Sequence, residues 1–321
     1  MARLVVAINP SASFGKALDA GALAVEALRE AGHEVRSLVA PNWLVLADRA
    51  REEVEQGPDA LVVVGGDGMV HLGAGIVAGT DVPLGLIPTG TGNDLARNAG
   101  IPRHDVRGAV DCLAAALDRG AVAVDTAVAS WVEGDRVVER RVVSSVSCGF
   151  DAVVNERANR MRFPKGASRY TLAIVRELAR LTPLDYRVEH DGGVIEERGI
   201  LVSVANNRSL GGGMMITPEA SMVDGVLDLF FVHALSRTEF LRIYPRVFAG
   251  THVTDPHVEI IRTRHARVEA DGVVAYGDGE RLGPLPIGVR VDPGSLRFLG
   301  SVPGMAEVGS AEESSGSDPV R

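Results

Sequence analysis

The sequence has little cysteine and no long apolar run, and both absences narrow the classes of protein that it can encode. Cys112 and Cys148 are too few for a disulfide framework, so we expect a reduced, cytoplasmic protein in which both thiols are buried. No apolar run approaches the length of about 18 residues that a membrane-spanning helix needs. The start, MARLVVAINP, also lacks the cleavage pattern of a signal peptide. We therefore expect no segment that crosses a bilayer.

Aromatic residues and positive charge are also scarce. Aromatic residues make up 4% of the chain and all hydrophobic residues 46%, which indicates aliphatic cores; 321 residues suffice for two domains. Acidic residues outnumber basic ones, 42 to 33, and no basic stripe offsets the resulting net charge of −9. The composition therefore argues against a nucleic-acid-binding protein.

Strand and helix patterns alternate over residues 4–120. Apolar runs bounded by turn residues predict strands at Leu4–Asn9, Glu34–Val39, Leu61–Val64 and Leu84–Pro88. Amphipathic segments predict helices at Ala17–Ala31, Val45–Gln56, Met69–Ala78, Asp94–Asn98 and Asp105–Arg119. This alternation predicts a parallel sheet that is covered by helices on both faces.

Beyond Val122 the pattern changes to long apolar strands with polar turns, which predicts a β-rich second domain. One of these runs, Val137–Phe150, predicts a single uninterrupted strand. Predicted helices interrupt the strands at 151–161, 168–181 and 237–248, the last of them capped by Ser236 and kinked or ended near Pro245.

Three segments follow from these patterns. We predict an α/β domain at residues 1–123 and a β-rich domain at 124–300. The end of the chain, 303–321, is acidic, rich in Ser and Gly, and without periodicity, so we expect it to be disordered.

Two glycine-rich loops follow neighbouring predicted strands. Gly65–Gly68 follows one strand and Thr89–Asp94 follows the next, and each loop leads into a helix. The carboxyl ends of parallel strands face one crevice, where glycines and helix N-termini can bind phosphate. Asp67 and Asp94 would repel a phosphate unless a cation lay between them, so we infer Mg²⁺. The loops therefore predict a site for a nucleotide phosphate and a metal ion.

Two other phosphate-binding motifs do not fit. Residues 10–17 place Gly-Lys after a strand as a Walker A motif does, but Pro10 replaces its first glycine and Ala17 its metal-binding Ser or Thr. Neither glycine loop has the third small residue of GxGxxG, which argues against a nicotinamide-dependent dehydrogenase. Lys16 is a candidate phosphate ligand, with a solvated surface lysine as the alternative.

The two loops together resemble a known family. GGDG at 65–68 followed by PTGTGNDLAR at 88–97 is similar to the catalytic domain of the diacylglycerol kinase and sphingosine kinase superfamily, closest to bacterial soluble diacylglycerol kinases. NAD kinases share the first loop, but the second has the lipid-kinase form. The resemblance extends to about Leu299. It implies an NAD kinase/diacylglycerol kinase-like nucleotide-binding domain, and a β-rich substrate domain whose last strands, after about Pro286, return to the first.

The resemblance also implies roles for particular residues. The residues that would bind the nucleotide are Asn9, Lys16, Gly65, Gly66, Asp67, Gly68, Met69, Gly90, Thr91, Gly92, Asn93 and Asp94. An active-site Mg²⁺ network would involve Asp67, Asp94 and Asp125. The catalytic residues would be Asp278 as general base toward the lipid hydroxyl, with Glu280 and Asp67.

Two of these assignments have plainer alternatives. Taken alone, Gly277–Glu280 predicts a hairpin turn. A structural cation is implied at the carbonyls of Ser221 and Val226 and the side chain of Asp224, and a simple Asp-Gly turn is the alternative.

The chain departs from the family pattern at a few positions. Met69 stands where the family often has Thr, and His71 replaces a Glu or Asn, although sphingosine kinases also show a His in this stretch. A nucleotide-contacting Thr near the end of the second strand is missing; the chain reads VAPN at 39–42.

These observations predict an ATP- and Mg²⁺-dependent kinase of a lipid primary hydroxyl, with diacylglycerol the leading substrate. The alternatives are a kinase of another lipid alcohol, such as a sphingoid base or glycolipid, and an inactive nucleotide-binding regulatory protein. The expected partners are a lipid substrate and a peripheral anionic membrane surface, with no nucleic acid and with a homodimer left open. The basic segment 157–169 is either a solvated face or the membrane contact; its basic residues are Arg157, Arg160, Arg162, Lys165 and Arg169.

Overall fold

The computed structural model describes residues 1–9, 16–40, 42–149 and 182–303; the side chains of 16–18 are not described. Its strands are β1 (Arg3–Ile8), β2 (Glu34–Val39), β3 (Ala60–Gly65), β4 (Leu84–Pro88), β5 (Val122–Glu133), β6 (Arg136–Val142), β7 (Ser145–Gly149), β8 (Leu184–His190), β9 (Gly193–Ala205), β10 (Leu227–His233), β11 (Val258–Thr263), β12 (His265–Glu269), β13 (Val274–Gly277), β14 (Glu280–Pro284) and β15 (Ile287–Phe298). Its helices are α1 (Lys16–Glu30), α2 (Trp43–Val54), α3 (Asp67–Val77), α4 (Asp94–Asn98), α5 (Val106–Arg119) and α6 (Arg237–Val247), followed by a 3-10 turn at Thr251–Thr254.

Several predictions fall outside these residues. They concern the loop at 10–15, the helices at 151–161 and 168–181, the basic segment 157–169 and the tail beyond Pro303.

The amino-terminal half is a parallel sheet with helices packed against it. Its strand order is β4-β3-β1-β2, and each neighbouring pair is parallel. Every residue of β3 is buried, as expected for a central strand covered on both faces. The predicted α/β architecture with a parallel sheet is confirmed.

The carboxyl-terminal half consists of antiparallel strands. Around β10, apolar side chains form a core cluster on each face of the sheet. Because successive side chains of a strand point to opposite faces, Leu229 and Phe231 of β10 lie in one core cluster. Phe230 and Val232 of the same strand lie in another, which α6 covers. This half therefore has a second apolar layer beneath α6.

Strand β15 joins the two halves. It pairs with β5 from Ile287–Trp131 to Phe298–Val122, and Phe298 also pairs in parallel with Leu84 of β4. The last strand thus belongs to the antiparallel half for most of its length and reaches the edge of the parallel sheet at its end.

The prediction of one strand over Val137–Phe150 is wrong. β6 ends at Val142 and pairs with β5, whereas β7 begins at Ser145 and pairs with β9 and β13. The break at Val143 and Ser144 has no glycine or proline beside it, and valine lies on both sides, so hydrophobic pattern alone cannot indicate it.

Two further expectations have mixed outcomes. Ser236 caps α6 as predicted, in a reciprocal capping box with Glu239, but Pro245 lies inside the helix, which continues to Val247. Cys148 is buried as expected, whereas Cys112 is exposed on α5. No helix among the described residues combines the length and the apolar character needed to cross a membrane.

Candidate active site

The two glycine loops are in direct contact. They follow the adjacent strands β3 and β4, and the backbone N–H of Thr89 donates to the carbonyl of Gly65 at 2.8 Å. A Cβ atom on Gly90 would lie 2.4 Å from the Cα of Gly66, so no side chain fits at position 90. The loops need glycine there because their backbones cross at van der Waals distance.

Asn93 holds the second loop in shape. Its backbone is left-handed, with φ of 52°, and its side chain is buried. The side-chain oxygen accepts from the N–H of Gly90 at 3.0 Å, and the side-chain amide donates to the Gly90 carbonyl at 2.8 Å. The structure thus places Asn93 inside the loop, while Thr91 beside it is exposed.

Asp67, the first residue of α3, connects the loops through its carboxylate. Oδ1 accepts from the backbone N–H of Asp94 at 2.8 Å, and the backbone N–H of Leu95 also interacts with the carboxylate. A Cβ atom on Gly92 would lie 2.7 Å from Oδ2, so glycine keeps the space beside this oxygen clear. Burial, followed by the negative charges of Asp94 and Asp278, raises the pKa of Asp67 to about 6.

The carboxylate of Asp94 forms hydrogen bonds that link α4 to the loop after β9. Its Oδ1 accepts from the hydroxyl of Ser209 at 3.0 Å and its Oδ2 from the N–H of Gly212 at 2.7 Å. Arg97 donates to the Gly212 carbonyl at 3.0 Å. This contact between the halves was missed from sequence. The run Gly211–Gly213, in which all three φ angles are positive, was the available signal.

Asp278 lies on the hairpin between β13 and β14. The turn residues Asp278 and Gly279 have φ of 50° and 84°, which fits a two-residue type I′ turn. The buried carboxylate accepts from the N–H of Val143 at 2.9 Å and from that of Ser144 at 2.7 Å. The break between β6 and β7 therefore supplies two donors to Asp278. The hairpin turn that the sequence predicts is present, and the carboxylate of Asp278 in this turn faces inward.

Glu280 and His71 bring this hairpin against the first glycine loop. Glu280 Oε1 lies 3.2 Å from the position that a Cβ atom on Gly68 would occupy. His71 of α3 places Nδ1 3.0 Å from Asp278 Oδ2. Burial alone lowers the pKa of His71, but the hydrogen bond and charge of Asp278, with the charge of Glu280, raise it overall. Sequence reasoning had noted His71 only as a departure from the family.

Asp125 connects three segments of the backbone. Its carboxylate accepts from the N–H of Gly225 at 2.7 Å and from that of Gly294 at 2.8 Å. Its own N–H donates to the Met222 carbonyl at 2.6 Å. These contacts hold β5 to the turn at 221–226 and to the irregular stretch of β15.

At the implied structural-cation site, Asp224 has protein partners. Its Oδ1 accepts from the N–H of Val226 at 3.3 Å, and its Oδ2 pairs with Arg262. Burial raises the pKa of the neighbouring Asp228 to about 6, although the positive charge of Arg262 opposes the shift. No group of three or more His, Cys, Asp or Glu side chains in the described part of the chain is arranged to hold a metal ion.

The remaining nucleotide-site residues are placed as follows. Asn9 directly follows β1, and Lys16 is the first residue of α1. Met69 is buried beneath the first loop, since a Cβ atom on Gly65 would lie 2.3 Å from its Cγ. The Met69 side chain is therefore part of the core under the loop.

Comparison with known proteins agrees with this architecture. Residues 3–127 match the model of the diacylglycerol kinase catalytic domain, and residues 144–300 match the YegS C-terminal NAD kinase beta sandwich-like domain. A diacylglycerol kinase of Mycobacterium tuberculosis is 37% identical over 292 residues, which are 91% of this chain and 93% of that protein. A diacylglycerol kinase of Bacillus subtilis is 26% identical over 293 residues, 89% and 92% of the two chains.

A solved structure shows the same fold at lower identity. The crystal structure of a diacylglycerol kinase from Bacillus anthracis superimposes with a TM-score of 0.65 at 19% identity and covers 93% of this chain and 96% of that one. The two matched domains together cover most of the chain, and the 37% identical relative aligns with nine-tenths of it. The chain therefore belongs to the diacylglycerol kinase family and is an ATP-dependent lipid kinase.

Proposed function

We propose that this kinase transfers the γ-phosphoryl group of ATP to the primary hydroxyl of diacylglycerol, with Mg²⁺ and at a membrane surface. The product would be phosphatidic acid. The observation that carries the proposal is an apolar cavity joined to the phosphate loops by one short segment.

The cavity lies between the sheet of the antiparallel half and α6. Its walls are almost wholly apolar and include Ile200, Phe230, Phe240 and Tyr244. Its volume of about 80 Å³ has room for a segment of hydrocarbon. A lipid bound here would keep most of its acyl chains in the bilayer.

The loop after β9 links this cavity to the phosphate site. Ser209 and Gly212 contact the Asp94 carboxylate, while Leu210 and Met214 line the cavity. Neighbouring residues of one loop thus face the two sites. This supports a lipid acceptor whose hydrocarbon enters the cavity while its hydroxyl points toward the loops.

The residues at the glycine loops fit a divalent cation. Mg²⁺ is commonly bound by one or two carboxylates together with nucleotide phosphates, and Gly92 keeps the space beside Asp67 Oδ2 clear. Both oxygens of Asp94 already accept hydrogen bonds, so Asp67 is the better direct ligand. When bound, the ion would neutralise charge on the transferred phosphate. The N–H groups of the GGDG loop and the amino end of α3 would bind the phosphates.

The Asp278 hairpin would serve the acceptor side. It lies against the start of α3, so a hydroxyl placed between it and the phosphate loops would be in position for transfer. Asp278, directly or through its partner His71, would remove the hydroxyl proton.

The surface beside the cavity fits a membrane. Leu241 and Phe248 are 57% and 51% exposed, and a spacing of seven residues puts them on one side of α6. Val253, just beyond α6, is 40% exposed. Apolar side chains exposed next to a lipid cavity support peripheral docking at this end of the molecule.

The acceptor is tested by incubation of the enzyme with labelled ATP and a panel of lipid alcohols. We expect phosphorylation of diacylglycerol at a higher kcat/KM than of a sphingoid base or a glycolipid. Preferential labelling of either other lipid would replace diacylglycerol as the substrate. Labelling of none would favour the inactive regulatory protein.

The cavity is tested by Val258→Phe, which adds bulk at its wall. We expect a raised KM for long-chain diacylglycerol and an unchanged KM for a short-chain analogue. Val194→Phe, at an exposed position of β9, is the matched control. Equal KM values for long-chain substrate in both variants would remove the cavity from the proposal.

The metal is tested by Asp67→Ala across a Mg²⁺ titration. We expect activity to be lost at ordinary Mg²⁺ concentrations because the first loop loses its carboxylate. Near-normal turnover would show that Asp67 only shapes the turn.

A further inference from the structure

His71 is placed to act in the reaction. It lies one helical turn after Asp67, on the same side of α3, and its Nδ1 is 3.0 Å from Asp278 Oδ2. The imidazole is 11% exposed and the Asp278 side chain 2%. Trp43 of α2 stacks against the ring, with centroids 6.4 Å apart and planes 20° apart. The imidazole is thus held between an aromatic ring and a carboxylate.

N–H groups take up most of the hydrogen-bond acceptor positions of the Asp278 carboxylate. Its Oδ2 meets both the Val143 N–H and His71 Nδ1, and its Oδ1 accepts from Ser144. A carboxylate has about four lone-pair sites, so three of them are taken, including both on the oxygen that faces His71. Little of Asp278 remains open to a substrate hydroxyl.

These contacts determine the state of the imidazole. Because the ionised carboxylate only accepts hydrogen bonds, Nδ1 carries the proton, and the lone pair of neutral His71 lies on Nε2. No described residue forms a hydrogen bond with Nε2. Among the described groups at this site, Nε2 of His71 therefore has a lone pair that is available to accept a proton.

Charges from several elements act on the ring. Asp278 and Glu280 come from the hairpin of β13 and β14, and Arg140 comes from β6. The two carboxylates outweigh burial and Arg140, so the pKa of His71 is above its usual 6.5. The raised pKa makes the imidazole a stronger proton acceptor than an isolated histidine side chain.

We propose that Nε2 of His71 takes the proton of the acceptor hydroxyl, and that Asp278 holds the required tautomer and stabilises the imidazolium. As the O–H bond breaks, the hydroxyl oxygen bonds to the γ-phosphorus. The bond from that phosphorus to the bridging oxygen breaks, and its electron pair leaves with ADP. The imidazolium then returns the proton to water. The inference rests on the proposed placing of the acceptor at the Asp278 hairpin, and the same division of labour between a buried Asp and a His occurs in serine hydrolases.

The main test compares His71→Gln with His233→Gln in the full chain, with diacylglycerol in mixed micelles. His233 is the matched control because it is also held by carboxylates, Glu197 and Glu259, but on the surface of β10. We expect kcat to fall by about 10²–10⁴-fold in His71→Gln and to stay at the wild-type value in His233→Gln. ATP binding by calorimetry should be unchanged in both.

Two readouts separate proton transfer from a structural role. In the wild type, kcat should fall as pH falls through the raised pKa of His71, and in His71→Gln the fall should move to the lower pH at which Asp67, whose pKa is about 6, takes up a proton. In His71→Ala, added imidazole should restore activity in proportion to its neutral fraction. Lack of rescue in a folded variant would overturn the proposal. Should His71→Gln fail to fold, His71→Asn replaces it, because the resembled family often has Asn there.

The outcomes distinguish this inference from the proposed function. If Asp278→Asn loses activity while His71→Gln keeps it, Asp278 is itself the base; the inference fails and the proposed function stands. If both variants keep wild-type kcat, the hairpin does not face the acceptor, and the placing of the acceptor fails as well.

Discussion

Two Asp-Gly turns of this chain, at Asp278 and Asp224, have opposite surroundings. The Asp278 carboxylate is buried and accepts N–H groups from the break between β6 and β7. The Asp224 carboxylate is exposed, accepts from its own turn and pairs with Arg262. The same dipeptide is thus a buried turn beside the glycine loops in one place and a surface turn in the other. The difference lies in segments far along the chain that the turn itself does not specify.

The largest expected effect is a difference in kcat between substitutions at the two turns. Asp278→Asn keeps the shape of the side chain but removes its charge, so we expect kcat to fall by about 10²–10⁴-fold with ATP binding unchanged. Asp224→Asn makes the same change on the surface and should keep the wild-type kcat. Steady-state kinetics of both variants check this. Similar losses in the two would mean that burial of Asp278 has no bearing on its role.

A smaller effect should appear in the pH dependence of stability. The folded-state pKa of His71 is raised, so its pairing with Asp278 stabilises the protein fully below pH 6.5, and this contribution is lost as pH rises through the raised value. The gap in free energy of unfolding between wild type and Asp278→Asn should therefore be wider near pH 5.5 than near pH 8.5.

Denaturant unfolding at both pH values measures that gap. Asp224→Asn should show a smaller change in this gap, since Asp224 has Arg262 rather than a histidine as its partner and acts only through its charge on the raised pKa of Asp228. A gap for Asp278→Asn that widens with pH would contradict the pairing.

The smallest effect concerns Asp224 itself. Its partner Arg262 is 63% exposed, and exposed ion pairs contribute about 0.2–1 kcal/mol, so Asp224→Ala should lower the free energy of unfolding by no more than that. Without nucleotide, Mg²⁺ should shift the melting temperature of wild type and variant equally. A shift confined to the wild type would support the implied cation site at Ser221, Asp224 and Val226.

The sequence was sufficient for the family and the architecture because glycine loops are local motifs. GGDG and the loop at 89–94 predicted a lipid kinase with a parallel nucleotide-binding sheet, and both are confirmed. The roles of individual residues at these loops stay predictions. The local sequence pattern of the two loops could indicate only that a phosphate site lies at the ends of the strands.

Contacts between distant segments could not be predicted in this way. The break at Val143 and Ser144 has serine but no glycine or proline as a turn residue, so the prediction of one continuous strand hid two donors to Asp278. The contact of Asp94 with Ser209 joins segments of opposite halves. The apolar cavity is assembled from β9, β10 and α6, each of which looks in sequence like an ordinary core element.

The position of β15 has a consequence for how the protein is made. Its partners β5 and β4 leave the ribosome long before it does, because the whole antiparallel half is synthesised in between. Until then β5 has one unpaired edge, which is open to wrong partners. Since contacts between distant residues form slowly, completion of the sheet should be a late step. A chain cut before Ile287 would carry every glycine of the phosphate loops and still lack the strand that joins the two halves.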